Sequence, residues 1–441
     1  MSQRDSFKSQ ILHIYGHLLM FSRFTTEDIR LLPDKEIMIL IGQDPGDHLL
    51  DARKVDYELR LLGLNIKEIE STLSSEILIA NLYNSIILKK KAFIYCEMNP
   101  GDFTKINKSL TERIKFREWQ STVFSFEKSG YIQRIKGQEK YFTNRGYYTR
   151  IKPTEKFINE IIKKYNISYK NLIQHHHLIE LGDRKKVNKS AKRVFDLERR
   201  LKRYNELLIN SDINVPLSII HDANKYNLTR RTYKRSFNNS FVKNGRFYGP
   251  FWQSMPKKDR AQILINGEAV IELDFEGMFI NLLYSMRGLN MFDYISKNED
   301  PYDLKEYNRK IVKAAFTACV NKKCDKKNIN YVVAGLAKKI LKENFVKGVN
   351  YRKMLELLSL KHSKIRDMFY QDLGDDLCYM ESRVTDLVLN SLTKKHIPVL
   401  AIHDSFIVPV SKSTELYNSM INAFNTLGYT SLPNIKGYPI A

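Results

Sequence analysis

The sequence predicts an α+β protein, and three observations carry that reading. Apolar, β-rich runs bounded by turn residues recur, as in Val270-Ile271-Glu272-Leu273-Asp274-Phe275 and Val399-Leu400-Ala401-Ile402. Helical periodicity occupies other stretches, among them Glu76 to Leu88, Ser109 to Glu127 and Lys189 to Leu208. An acid interrupts two of the apolar runs, at Asp274 and Asp404. Burying an acid at a strand end is costly unless it binds something, so these two positions point to a site.

At 441 residues the chain is long enough for about two to four domains with real cores. Its 72 Lys+Arg against 49 Asp+Glu leave a formal charge of +23. An excess of this size attracts polyanions, of which nucleic acid is the usual one. The cysteines Cys96, Cys319, Cys324 and Cys378 are spaced for neither a disulfide framework nor a zinc ribbon. The opening Met-Ser-Gln-Arg-Asp-Ser lacks the apolar core of a signal peptide, and no run approaches membrane-spanning length. A soluble, cytoplasmic protein with no membrane partner is expected.

Residues 1–65 form an N-terminal α/β segment of unknown role. Glu36 to Ile41 reads as a strand, and Gly42-Gln43-Asp44-Pro45-Gly46-Asp47 as the turn after it. In residues 66–170, two helices precede Gly130 to Lys136 and Gly146 to Thr154. These alternating runs around a basic turn read as a β-hairpin, followed by a helix from Pro153-Thr154 through Ile162. Helices followed by a basic hairpin are similar to a winged-helix module that lies along a phosphate backbone. A purely structural hairpin is the competing reading. His175-His176-His177 has no acidic partner at ligand spacing, and a solvated loop or helix start is expected there.

Residues 171–215 contain an amphipathic helix. Val194, Phe195, Leu197, Leu201, Tyr204, Leu207 and Leu208 form its apolar stripe, and Lys192, Arg193, Arg199, Arg200, Lys202 and Arg203 its basic face. That face reads either as a thumb gripping a duplex or as a solvated surface. Residues 216–441 are expected to be the catalytic part, since they hold both acid-interrupted strands. Two carboxylates brought together there can hold a pair of Mg²⁺ ions for in-line phosphoryl transfer. Arg309 and Lys313, at i and i+4, share one helix face and can both reach a triphosphate. His403, beside Asp404 at a hairpin turn, is placed to position a primer end.

Four segments in order resemble the palm and fingers of family A DNA polymerases and the related single-subunit RNA polymerases. Gly245-Arg246-Phe247, Gln253-Ser254-Met255-Pro256 and Arg260 resemble the palm entry, Leu273-Asp274-Phe275 motif A, Arg309-x3-Lys313 motif B, and Ile402-His403-Asp404-Ser405-Phe406 motif C. The resemblance implies a right-hand polymerase with an antiparallel palm sheet, helical fingers and thumb-like helices. It implies Asp274, Asp404 and the Phe275 carbonyl as metal ligands, Arg246, Arg260 and Glu381 as contacts to template-primer DNA, and dNTPs as substrates. Arg309, Lys313, Thr317, Phe279 and Asn321 would surround the nucleotide, with Lys313 protonating the leaving pyrophosphate.

The chain departs from the family at Asn321-Lys322, where a Tyr-Gly pair is usual, and at Phe279, where DNA polymerases have a Glu. Phe279 reads equally as a sugar gate and as core. Compact size, no exonuclease motif and Asp300-Pro301-Tyr302-Asp303-Leu304 are most like the polymerases of mobile elements, of the cassette-chromosome type. That likeness implies priming with a small accessory protein, beside an element-encoded helicase. Two alternatives stand: an RNA polymerase or primase using NTPs, and a non-catalytic DNA-binding replication protein with a relict palm.

Overall fold

The computed structural model describes residues 53–62, 64–87, 94–135, 149–182, 192–216, 226–323, 335 and 349–437. The expected strand at 36–41, its turn, the basic tip of the hairpin and Cys324 lie outside them. The architecture is mixed α and β, in two compact units: Met1–His176 with Ala223–Arg230, and His177–Asp222 with Arg231–Ala441.

The first unit comprises β1 (Arg53–Lys54), β2 (Leu59–Leu61), α1 (Leu73–Ile87), β3 (Ile94–Cys96), α2 (Pro100–Asn107), α3 (Phe116–Lys128), β4 (Ile132–Ile135), β5 (Thr149–Pro153) and β6 (Leu172–Gln174). One sheet runs β1-β3-β5-β4, and β2 pairs separately with β6. β4 and β5 are antiparallel, with Ile132 opposite Pro153 and Ile135 opposite Arg150. The helix expected from Ser109 starts only at Phe116. The intervening loop is held elsewhere: the Asn107 side chain bonds the amide and carbonyl of Ile114, and Glu58 accepts from the Thr111 amide. Trp119, Val123 and Phe126, four and three residues apart, then share the buried face of α3. Trp119 meets Tyr57 with ring centroids 5.0 Å apart, and Tyr57 meets Phe103 at 5.5 Å. Thr154 caps the next helix by accepting from the Phe157 amide, and that helix continues as a π-helix over Ile158–Lys163.

The second unit comprises β7 (Ile179–Leu181), α4 (Lys192–Asn210), β8 (Ile213–Asn214), β9 (Lys234–Phe237), β10 (Asn244–Tyr248), β11 (Leu264–Ile265), β12 (Glu268–Phe275), α5 (Met278–Met286), α6 (Arg309–Val320), α7 (Tyr351–Lys361), α8 (Gly374–Lys394), β13 (Leu400–Ile402), β14 (Ser405–Pro409), α9 (Ser413–Thr426) and β15 (Ile435–Lys436). Its main sheet is antiparallel, in the order β13-β14-β12-β11-β8, with β15 against β12. Alternation along β12 buries Leu273 and Phe275. Phe275 packs on Phe424 of α9 at 5.0 Å and edge-on to Phe406 at 6.4 Å.

Among the described residues β13 ends the sheet, and side chains bond the backbone on its outer side. The Val399 carbonyl accepts from the Tyr204 hydroxyl at 2.5 Å, and the Ala401 carbonyl from Tyr233 at 2.7 Å. Tyr204 belongs to α4, whose buried face is Val194, Leu197, Leu201, Tyr204 and Leu208. Phe195, expected on that stripe, is instead 58% exposed. It sits one position beyond Val194, a 100° rotation off the i, i+3, i+7 row.

Candidate active site

The chain brings its two acid-interrupted strands side by side. In the β12–β14 register Asp274 lies opposite Ser405, and the Phe275 amide donates to the Asp404 carbonyl at 3.2 Å. Asp404 and His403 form the two-residue turn between β13 and β14, closed by the Ile402–Ser405 pair. His403 takes the left-handed φ of +56° that such tight hairpins need and that most residues avoid.

Burial, and then the neighbouring Asp404, push the Asp274 carboxyl up to about 7, against the pull of Lys313. Burial also raises Asp404, with Lys313, a backbone hydrogen bond and then Arg246 opposing. Among the described residues Asp274 has no ion-pair or hydrogen-bond partner for its carboxylate. Two residues earlier, Glu272 has both: Arg260 donates to it at 3.0 and 2.7 Å, and Ser405 at 3.2 Å. Arg260, expected to contact DNA, is thus committed to Glu272 and to the Met255 carbonyl, 2.7 Å away.

Arg246 and Glu381, also expected at DNA, are paired with each other. Arg246 donates two bonds, of 2.9 and 2.6 Å, to a Glu381 that is buried on α8. Burial lifts Glu381 to about 7; Arg246 opposes the shift and Asp404 adds to it. The Arg246 guanidinium also lies 5.3 Å from the centroid of the Phe279 ring. Phe279 is half-buried, so it lines this corner rather than filling the core. His403 is held neutral, lowered to about 4 by burial and then by Arg246. Its Nδ1 is buried without a hydrogen-bond partner, and its ring stands edge-on to Tyr248 at 5.7 Å.

On α6, Arg309 and Lys313 flank the ring of Tyr302, at 5.6 and 6.0 Å from its centroid. Arg309 is ion-paired to Asp300 and lies 4.0 Å from Glu276. Thr317 hydrogen-bonds the Lys313 carbonyl at 2.9 Å, so its hydroxyl is used within the helix. Asn321 caps the C-terminus of α6, donating to the Thr317 carbonyl at 2.8 Å. Its Oδ1 sits where a Cβ on Gly374 would fall, 1.5 Å away, so only glycine opens α8 there.

Residues not singled out as site residues complete the corner. Tyr302 is buried, and its hydroxyl is raised by burial and then by Asp404. His362, fully buried, bonds the Pro301 carbonyl through Nε2 at 2.9 Å. Gly277, at φ +69°, turns the chain from β12 into α5, and a Cβ there would come within 2.9 Å of Pro301 Cγ. The sequence signal for this was the Asp300-Pro301-Tyr302 string, whose neighbours only the fold reveals.

No cluster of three or more His, Cys, Asp or Glu side chains that could hold a metal occurs among the described residues. The Asp274–Asp404 pair is nevertheless a hard-oxygen donor set. Mg²⁺ typically binds through one or two carboxylates and completes its shell with water and substrate phosphates. The unmatched pair fits that pattern. His175, His176 and His177 lie outside helix and strand.

No family model matches the sequence, and neither does any curated protein. Among solved structures it is similar to the POL domain of Pol1 from M. smegmatis in complex with DNA primer-template and dNTP. The identity is 11%, over 97% of this chain and 72% of that one, with a TM-score of 0.28. At that TM-score the likeness does not define a shared fold. Among the described residues no helix is long and apolar enough to cross a membrane.

Proposed function

We propose that the second unit is the catalytic part of a template-directed nucleotidyltransferase, a DNA polymerase extending a primer from dNTPs. The observation that carries this reading is the convergence of Asp274 and Asp404 at one end of an antiparallel sheet, with Lys313 acting on both. The +23 charge supports a polyanionic partner, and the order of the four motif-like segments supports the family resemblance. In this reading Asp274 and Asp404, with the Phe275 carbonyl, hold divalent cations. Bound there, such ions supply neutralisation of the triphosphate and activation of the attacking hydroxyl.

The remaining steps belong to the chain's own groups. Lys313 and Arg309 present two cations to the triphosphate, and Lys313 carries the proton for the leaving pyrophosphate. Arg309 must first exchange Asp300 for phosphate. The Arg246–Glu381 pair, stacked on Phe279, walls the sugar side, and neutral His403 orients the primer terminus. The basic hairpin of the first unit serves as a nucleic-acid contact. Priming with a small accessory protein, beside a helicase of the same mobile element, extends this reading.

Primer extension with labelled dNTPs, run in parallel with NTPs, tests it. Incorporation of dNTPs in a template-dependent manner is expected. Incorporation of NTPs alone would select the second reading, an RNA polymerase or primase, which the His403-Asp404-Ser405-Phe406 string and the absence of the family's Glu at position 279 favour. Binding of DNA with no incorporation of either would leave only a DNA-binding replication protein.

A further inference from the structure

A second cluster of charge lies on the other side of α8. Glu381 and Thr385 face the acid pair, through Arg246 and through the bond from Thr385 to the His403 carbonyl at 3.1 Å. Tyr379, Arg383 and Asp386, at i, i+4 and i+7, share the largely opposite face. They line a cavity of about 500 Å³ with the first turns of α4 and with Arg235 of β9.

The charge of this cavity does not balance. Among the described residues, Lys192, Arg193, Arg200, Arg235 and Arg383 meet only Asp196 and Asp386 in its lining. Asp386 is shared by Arg200 at 3.0 Å and by Arg235 at 3.8 Å. Arg193 donates only to neutral oxygens, the Phe241 carbonyl at 2.8 Å and the Tyr379 hydroxyl at 2.9 Å. The Arg200 Nε is buried without an acceptor. Arg235, 3% exposed, lies against the Phe237 and Phe247 rings at 5.1 and 4.7 Å and donates to the Gly245 carbonyl at 2.9 Å and the Ser382 hydroxyl at 3.2 Å, again neutral oxygens. These guanidinium groups have acceptors, but mostly neutral ones, and a buried cation held without a matching anion is expensive. The N-terminal end of α4 adds its own partial positive charge to the same space.

We propose that this cavity is a phosphate site that takes the backbone of a nucleic-acid strand, apart from the acid pair. Guanidinium forks match phosphate oxygens. The adjoining solvent face of α4 carries Arg199 and Phe195, a cation beside an exposed ring 6.0 Å away, which suits a strand with unstacked bases. The site extends the proposed function without depending on catalysis.

The test is anisotropy of a labelled single-stranded DNA oligonucleotide against the full chain over a salt series. Lys192→Ala with Arg383→Ala removes two exposed cations from the rim and leaves the buried arginines in place. The double variant is expected to bind roughly tenfold more weakly and to lose about 1.4 from the log–log salt slope. Asp404→Ala should keep the wild-type slope while losing synthesis, which separates this proposal from the catalytic one. Arg193→Ala provides an independent single change, with a loss of about 0.7 from the slope. An unchanged slope in both cavity variants would overturn the site. A DNA slope that holds while binding of labelled tripolyphosphate is lost would overturn the choice of strand backbone in favour of free nucleotides.

Discussion

The two units treat a buried acid differently. In the first, Glu97 is 3% exposed and fully answered: the Tyr57 hydroxyl donates to it at 2.9 Å and Lys54 lies 2.9 Å away. In the second, Asp274 and Asp404 stand at the same end of neighbouring strands, and burial raises both. The contrast recurs along one strand, where Glu272 is clamped by Arg260 and Asp274, on the same face two residues later, is left open. Matched charge locks a fold; unmatched charge, maintained at a cost, marks a place where something else must bind.

The largest break in that comparison comes from Asp404→Ala. If the open pair is catalytic, synthesis falls by on the order of 10³-fold or more, while DNA binding survives. Primer extension beside an anisotropy titration checks both halves. Synthesis that persists would mean that Asp404 is structural after all, like Glu97.

Asp274→Asn sharpens the same contrast through stability. The folded carboxyl titrates near 7 and the unfolded one near 3.8. A raised acid penalises the folded state only where the unfolded chain has lost its proton. The penalty is therefore absent below about pH 4, grows between 4 and 7, and is complete above 7. Its size is on the order of 4 kcal/mol. Asp274→Asn should melt with wild type at pH 4 and several degrees above it at pH 8. Added Mg²⁺ should raise the melting temperature of wild type at pH 8 and not that of the variant.

How much of this was legible in the sequence depends on range. An apolar, β-rich run identified β12, and the apolar flanks identified the β13–β14 hairpin, because strand composition is a local signal. Helix periodicity located α4, yet it put Phe195 in the stripe, since one residue of rotation is easily misassigned in a sequence of mixed charge. Partnerships were not legible. Arg246 and Glu381 lie 135 positions apart, and Arg260 and Glu272 12 apart on different elements. Read singly, each arginine looked like a cation free for DNA. The packing of Gly277 and His362 on Pro301 is equally silent until α5, α7 and the loop before α6 are folded together.

Of intermediate size is the clamp on β12. Arg260→Ala leaves Glu272, 13% exposed, with only Ser405, at a cost of about 2–3 kcal/mol. Glu272→Gln in that background should recover part of the loss, with a coupling of about 1–2 kcal/mol in the double-mutant cycle of urea midpoints. Strictly additive losses would mean that the pair is incidental.

The smallest effect is expected in the first unit. Tyr57→Phe removes one hydroxyl from Glu97 and leaves Lys54 and the ring contacts with Trp119 and Phe103 in place. The cost should be about 1 kcal/mol in chemical unfolding of that unit, with primer extension unchanged. The distinction between the two regions rests on that pairing of results. A lost hydrogen bond at a matched acid is felt as stability alone, whereas a change at the open pair moves activity first. If Tyr57→Phe lowers extension as much as stability, Glu97 belongs to a working site too, and matched charge no longer separates scaffold from chemistry in this chain.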